Sequence, residues 1–258
     1  MLGFRYALVF LPFGLFAPVV HAQPQRPGLK LDTTRVVQGD ETRITVTSTD
    51  GKVVEEGILI GGRREGVWYI YHDNGFPKTV IPYRQGLKEG AELHLGKDGY
   101  LEEQISYSKD ILHGPSRQYF KGSRLQKESF FIQGVEEGRR RVYYKDSGLQ
   151  EEGYFKQGLR DGPTIWYYSN GKKAAEYNYV KGEMEGAASV YNEKEIVTQS
   201  GSYQQGKQVG RWKEFNDDGQ LVAEGDYVQG LKEGKWKLYD AQGKVVKTVS
   251  YLHGEPKS

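Results

Sequence analysis

Residues 158–179 read GLRDGPTIWYYSNGKKAAEYNY, and their punctuation decides the fold. Gly158 and Gly162 bracket a short loop. Tyr167 follows five residues after the second glycine, and Ser169-Asn170-Gly171 stands between it and Tyr179. Asn-Gly tolerates the positive φ angles that reverse a strand tightly, so the string reads as two strands joined by a hairpin turn.

The same punctuation recurs every 24 residues from Leu59 to the C-terminus without insertion or deletion, which identifies a repeat architecture. One glycine column is unbroken: Gly66, Gly90, Gly114, Gly138, Gly162, Gly186, Gly210 and Gly234. A second, four residues earlier and running on to Gly254, is interrupted only by Asp110. These glycines define eight copies. A first aromatic column comprises Tyr71, Tyr119, Tyr143, Tyr167, Tyr191, Phe215 and Tyr239, with Leu95 as its one aliphatic member. A second, Tyr83, Tyr107, Phe131, Phe155, Tyr179, Tyr203, Tyr227 and Tyr251, is aromatic throughout.

Between the aromatics lie Asp73-Asn74-Gly75, Lys97-Asp98-Gly99, Ser169-Asn170-Gly171, Asp217-Asp218-Gly219 and Ala241-Gln242-Gly243. The third and fourth copies shift the glycine to Gly122 and Gly148, and the sixth has Glu193-Lys194-Glu195, so these three turns are expected to be looser or differently shaped. After each turn an aliphatic column (Leu101, Leu125, Leu149, Val197, Leu221, Val245) shares parity with the following aromatic. Alternation along a strand then predicts that aliphatics and aromatics line one buried side. Pro115 and Pro163 sit at first positions of strands, where a missing N–H is tolerated. Gln38 to Ile60 keeps part of the pattern and reads as a degenerate cap, which a repeat array needs to cover its terminal apolar face.

A Gly-x-x-x-Gly loop, an aromatic five residues on, an Asn/Asp-Gly turn and a second aromatic resemble the MORN repeat, and more closely its bacterial variant. The resemblance covers about 200 of the 258 residues. It implies an all-β fold, an elongated twisted antiparallel sheet of eight 24-residue hairpins. It implies no single activity, since MORN arrays serve as scaffolds and lipid-proximal modules, and bacterial variants carry a toxin-antitoxin label of the YwqK type. Trp-Tyr hairpins also occur in cell-wall choline- and glucan-binding repeats, but those have a shorter period.

Residues 1–22, MLGFRYALVFLPFGLFAPVVHA, carry one cation and an apolar run ending in small residues, which predicts a secretory signal cleaved after Ala22. The competing reading is a retained anchor, for which the run is short and holds Pro12, Gly14 and Pro18. The expected location is a periplasm or cell surface. Gln23 to Gly28 reads as a linker, residues 23–50 as linker and cap, and residues 51–258 as the array. With no cysteine, packing alone must hold the exported chain. Charged residues make up 27% of the chain and nearly balance at a net +2, so no nucleic-acid surface is expected.

No catalytic constellation is found, and no metal or cofactor is expected. His72, His94, His113 and His253 occupy different repeat positions, and no serine elbow, phosphate loop or His-Glu-x-x-His occurs. Two columns are candidate binding surfaces. The first is acidic: Glu65, Glu89, Glu137, Asp161, Glu185 and Glu233 directly precede the second loop glycine. It reads either as a row that recruits a basic partner or cations, or as turn carboxylates meeting backbone N–H groups, and turn chemistry favours the second reading. The other column is Trp68, Trp212 and Trp236, whose parity sets them opposite the buried aromatics. These rings form exposed stacking platforms for glycans or peptides, or pack on the sheet's second face. Hence the expected function is non-enzymatic interaction, with a protein partner leading and an envelope glycan or membrane surface as the alternative.

Overall fold

The computed structural model describes residues 31–257. The signal-peptide, cleavage-site and linker readings fall outside these residues. Within them the chain is all-β, a single open antiparallel sheet in which each long strand pairs with its neighbours in chain order. The first copy shows the unit: Arg63–Tyr71 pairs with Pro77–Arg84, and Pro77–Arg84 pairs onward with the strand pieces Leu87–Lys88 and Gly90–Leu95. The cap region contributes Leu31–Gln38, Glu41–Ser48 and Val53–Ile60, paired in that order onto the first copy.

Two kinds of turn alternate. At the glycine loops both central residues have positive φ, as in Gln85-Gly86, Gln157-Gly158 and Gln229-Gly230, which is the twist a two-residue hairpin requires. At the far end of each hairpin a three-residue loop places one residue in the left-handed region. That residue is Gly75, Gly99, Gly171, Gly219 or Gly243 in five copies. The fourth and sixth copies keep this geometry with Ser147 (φ 73°) and Glu195 (φ 65°) in the glycine's place, closed by the same N–H to carbonyl bonds, Ser147 to Tyr144 and Glu195 to Asn192. Only the third turn differs, with Gly122 and Ser123 both at positive φ. The expectation of a looser or different turn therefore holds for the third copy and is corrected for the fourth and sixth. The stacked neighbours impose the turn, and a side chain in the left-handed region costs roughly 1–2 kcal/mol, which such neighbours can offset.

A second correction concerns the faces. Tyr71 pairs with Pro77 and Ile70 with Thr79, so Lys78 bulges out of register. The same bulge recurs at Glu102, Gln126, Gln150, Ala174, Thr198, Val222 and Val246. One extra residue inverts the alternation beyond it. The aliphatic column accordingly stays beside the first aromatic column, while the second aromatic column lies on the opposite face with the tryptophans. Tyr69 stacks on Tyr71 on one face, and Trp68 meets Tyr83 edge-on on the other.

The indole face carries the core. Trp212, Trp236, Ala188 and Ala223 are buried together, flanked by Tyr177, Tyr203, Tyr227 and Tyr251. The rings alternate edge to face: Tyr203–Trp212 at 5.3 Å, Trp212–Tyr227 at 5.9 Å and Tyr227–Trp236 at 5.2 Å. Edge-on contacts set the positive ring edge against the negative ring face, worth about 0.5–1.5 kcal/mol per pair beyond the area buried.

Candidate functional site

The tryptophan platforms are overturned. Trp68, Trp212 and Trp236 are 3%, 4% and 2% exposed, and each indole N–H donates to a backbone carbonyl, of Ile58, Ser202 and Asp226 respectively. Each ring lies across a backbone that only glycine leaves open. A Cβ on Gly57, Gly201 or Gly225 would stand 2.1–2.2 Å from the ring of Trp68, Trp212 or Trp236. Cations close the outer side, with Arg64 4.1 Å from the Trp68 ring centre and Lys232 3.7 Å from that of Trp236. No ring face remains for a ligand. Strand parity set these rings opposite both aromatic columns; they lie opposite the first but share the better buried face with the second.

The six loop carboxylates are occupied. Glu65, Glu89, Glu137, Asp161, Glu185 and Glu233 each accept the backbone N–H of the residue twenty positions on, at 2.7–3.1 Å. Those donors, Gln85, Lys109, Gln157, Lys181, Gln205 and His253, are all left-handed first residues of the next glycine turn. The acidic column is therefore a ladder of staples between consecutive loops. This is the turn-chemistry reading, and an N–H held by an anion is among the stronger backbone contacts. Where the column breaks, at His113 and Val209, the side chain has no carboxylate to offer.

What the loops do present to solvent is apolar. Leu87, Ile111, Val135, Leu159 and Leu231 occupy one repeat position directly after the turn and are 40–48% exposed. Across the same turns stand Ile132 and Val228, paired with Val135 and Leu231 and equally exposed. Ile111 lies against Gly134, Val135 against Gly158 and Leu159 against Gly182, so the side chains step from loop to loop as far as Leu159; Glu183 and Lys207 then interrupt the stripe before Leu231. Sequence reading missed this stripe because it attended to constant columns. The available signal was an aliphatic residue directly after a turn, where a solvated loop has no use for one.

The face opposite the indoles is polar along its centre line. Register sets Arg117 beside Glu128 and Glu128 beside Arg141, and Glu128 accepts from both arginines, at 2.8 Å and 3.1 Å. Farther along, Arg211 pairs with Asp226. Such half-exposed pairs fix register more than they stabilise. On the indole face the tryptophan position holds Glu92, Ser116, Arg140, Thr164 and Ala188 in the second to sixth copies, and beside Thr164 and Ala188 the rings of Trp166, Tyr177 and Tyr203 continue the aromatic filling. Burial works against ionisation of Glu92, but hydrogen bonds from His94 and Lys88 outweigh it and hold the carboxyl below its usual range. Arg140 is clasped by Glu136 and lies 3.8 Å from the Phe155 ring centre.

An open meander of hairpins with one bulge per 24 residues and a carboxylate staple in six of eight copies defines a stacked-hairpin repeat protein. The MORN repeat variant family model matches this chain at residues 160–181, 208–229 and 232–253, which are the fifth, seventh and eighth copies. No curated protein matches the chain. Repeats of this kind suggest a binding module built by repetition. Among the described residues no group of three or more His, Asp and Glu is gathered to hold a metal ion.

Proposed function

We propose that this chain is an exported, non-enzymatic scaffold that binds a protein partner along its glycine-loop edge. The observation that carries the reading is the exposed stripe of Leu87, Ile111, Val135, Leu159 and Leu231. Contiguous exposed aliphatics on a polar molecule mark interaction surfaces, and from Leu87 to Leu159 they recur in four consecutive copies, which suits an extended partner. A partner neutralised by capture, as in the toxin-antitoxin relationship that the resemblance implies, is the specific form of this reading.

A membrane surface is the weaker alternative. The turn residues beside the stripe are mostly neutral glutamines (Gln85, Gln133, Gln157, Gln205, Gln229), and the loop carboxylates are anionic. Attraction to an anionic leaflet needs clustered cations there. A glycan stacked on Trp68, Trp212 or Trp236 is disfavoured by their burial.

The test is site-specific photo-crosslinking in the native envelope from Ile111 and Leu159, with the double variant Ile111→Lys/Leu159→Lys in a parallel pull-down. Crosslinks to one protein that the double variant no longer captures are expected, while its circular dichroism stays native. Capture unchanged in the variant, or adsorption to purified cell wall or vesicles in place of a protein, overturns the reading.

A further inference from the structure

The third copy departs from its neighbours in a way that leaves space. Ser116 stands where the first, seventh and eighth copies carry tryptophan, and its cross-strand partner is Ser129. With no indole to fill the position, a cavity of about 140 Å³ opens, lined by Ser116, Gln118, Lys127, Ser129 and Phe131. It exceeds the space of one water several-fold and falls below the ~300–1,000 Å³ of drug-sized pockets. Its ligand is therefore a group of a few heavy atoms.

Two polar groups in the wall matter, the hydroxyl of Ser129 and the ammonium of Lys127. Ser129 is 3% exposed, and no protein group hydrogen-bonds to its hydroxyl. A buried hydroxyl in that state costs about 1–3 kcal/mol, a cost that a bound acceptor would remove. Lys127, two residues along the strand, pairs directly with Gln118. Burial pushes its ammonium below the usual range, and Arg140 pushes the same way.

The surrounding charges fix the ligand's class. Glu136 is paired with Arg140, Glu151 with Arg160, and Glu128 with Arg117 and Arg141. These three carboxylates are each committed to an arginine, while Glu103, one strand beyond Gln118 from Lys127, accepts from the Gln118 amide at 3.3 Å; Lys127 is the one cation of the pocket wall. One cation, two hydroxyls and an amide, backed by the Phe131 ring, match a monoanion with two acceptor oxygens. A phosphate dianion would leave one charge unbalanced beside Glu136 and Glu151.

We infer that the third copy holds a binding site for a small carboxylate, with Lys127 as counter-ion, Ser116, Ser129 and Gln118 as hydrogen-bond donors, and Phe131 as the apolar wall. The carboxylate belongs to a free organic acid or to the C-terminus of a peptide. The site is independent of the loop-edge stripe, so either reading can fail alone.

The test uses the full chain labelled with 13C at lysine Cε. Sodium acetate replaces sodium chloride at constant ionic strength, followed by NMR and thermal unfolding. Acetate is expected to shift the Lys127 signal saturably and to raise the unfolding midpoint, as a ligand that binds only the folded state must. Lys127→Met should abolish both effects. Ser129→Ala, which removes an unpaired hydroxyl and so preserves the fold, should weaken acetate about fivefold, the loss of one hydrogen bond. Trialanine and its C-terminal amide distinguish the sources: a free-acid peptide binding tighter than acetate indicates a chain end, and equal binding indicates a small acid. Acetate acting no differently from chloride on the native chain overturns the site. So does an undiminished acetate response in Ser129→Ala together with Lys127→Met.

Discussion

Adding one methyl group at Gly201 should be among the most damaging small changes this chain can suffer. The new carbon would lie 2.1 Å, 2.2 Å and 2.5 Å from Cδ2, Cε2 and Cγ of Trp212, whereas carbon atoms pack at about 3.5–4.0 Å. The ring must therefore withdraw by more than an ångström. It is held in place by the N–H bond to Ser202 O at 3.2 Å and by edge contacts to Tyr203 and Tyr227. Losing that hydrogen bond costs ~1 kcal/mol and the two ring pairs ~0.5–1.5 kcal/mol each, so Gly201→Ala should destabilise by about 2–4 kcal/mol. Trp212→Ala should cost ~3–5 kcal/mol as a core truncation. The double variant should cost no more than Trp212→Ala, because the methyl group then enters space the ring has vacated. Urea unfolding of the four proteins gives the coupling directly. Additive losses, or a Gly201→Ala cost below about 0.5 kcal/mol, would show that the ring does not rest on that backbone.

Three further outcomes follow from other features. Glu137→Ala should destabilise by ~1 kcal/mol and sharply raise amide exchange at Gln157, whose N–H the carboxylate holds at 2.8 Å; unchanged protection there would remove the staple. Glu195→Gly should stabilise by about 1 kcal/mol in thermal unfolding, since the residue adopts φ 65° in a turn where five copies use glycine; a loss of stability would contradict this. Burial raises Tyr177 from 10.0 to about 12. Its contribution is intact below pH 10 and is lost as pH rises toward 12, because the unfolded chain ionises first. Tyr177→Phe should flatten that alkaline decline in a pH series of unfolding midpoints, and an unchanged slope would refute it.

The period, the hairpin unit and the turn positions were legible because glycine at positive φ and aromatics at fixed spacing are local demands. The assignment of faces was not. Leu101 and Tyr107 share parity in the string, yet the bulge at Glu102 sets them on opposite sides of the sheet. A bulge has no fixed residue type here, as Lys78, Glu102, Ala174 and Val246 show, so composition cannot announce it. The burial of Trp212 was legible in principle from Gly201, a glycine outside both loop columns and eleven residues upstream. Its meaning appears only once neighbouring hairpins are stacked. The acidic column was visible, and turn chemistry gave its role, but the specific partner, the N–H twenty residues on, required the register between successive loops. The void in the third copy is a missing indole, and a serine on a strand gives no sign of what the neighbours fail to fill.

The fit between each ring and the backbone beneath it also limits how such a chain can grow or shrink by whole units. Deleting residues 207–230 would set Gly201 beneath Trp236, a glycine–tryptophan pairing the chain already uses three times, and the shortened chain should fold. Deleting residues 183–206 would instead bring Tyr177 beneath Trp212, two large rings in room for one. The seventh and eighth copies are thus exchangeable modules, open to duplication or loss by recombination, whereas the sixth is an adaptor whose position in the series is fixed. The same rule guards the nascent chain against pairing one unit out of step, because most slipped arrangements would drive a ring into a side chain.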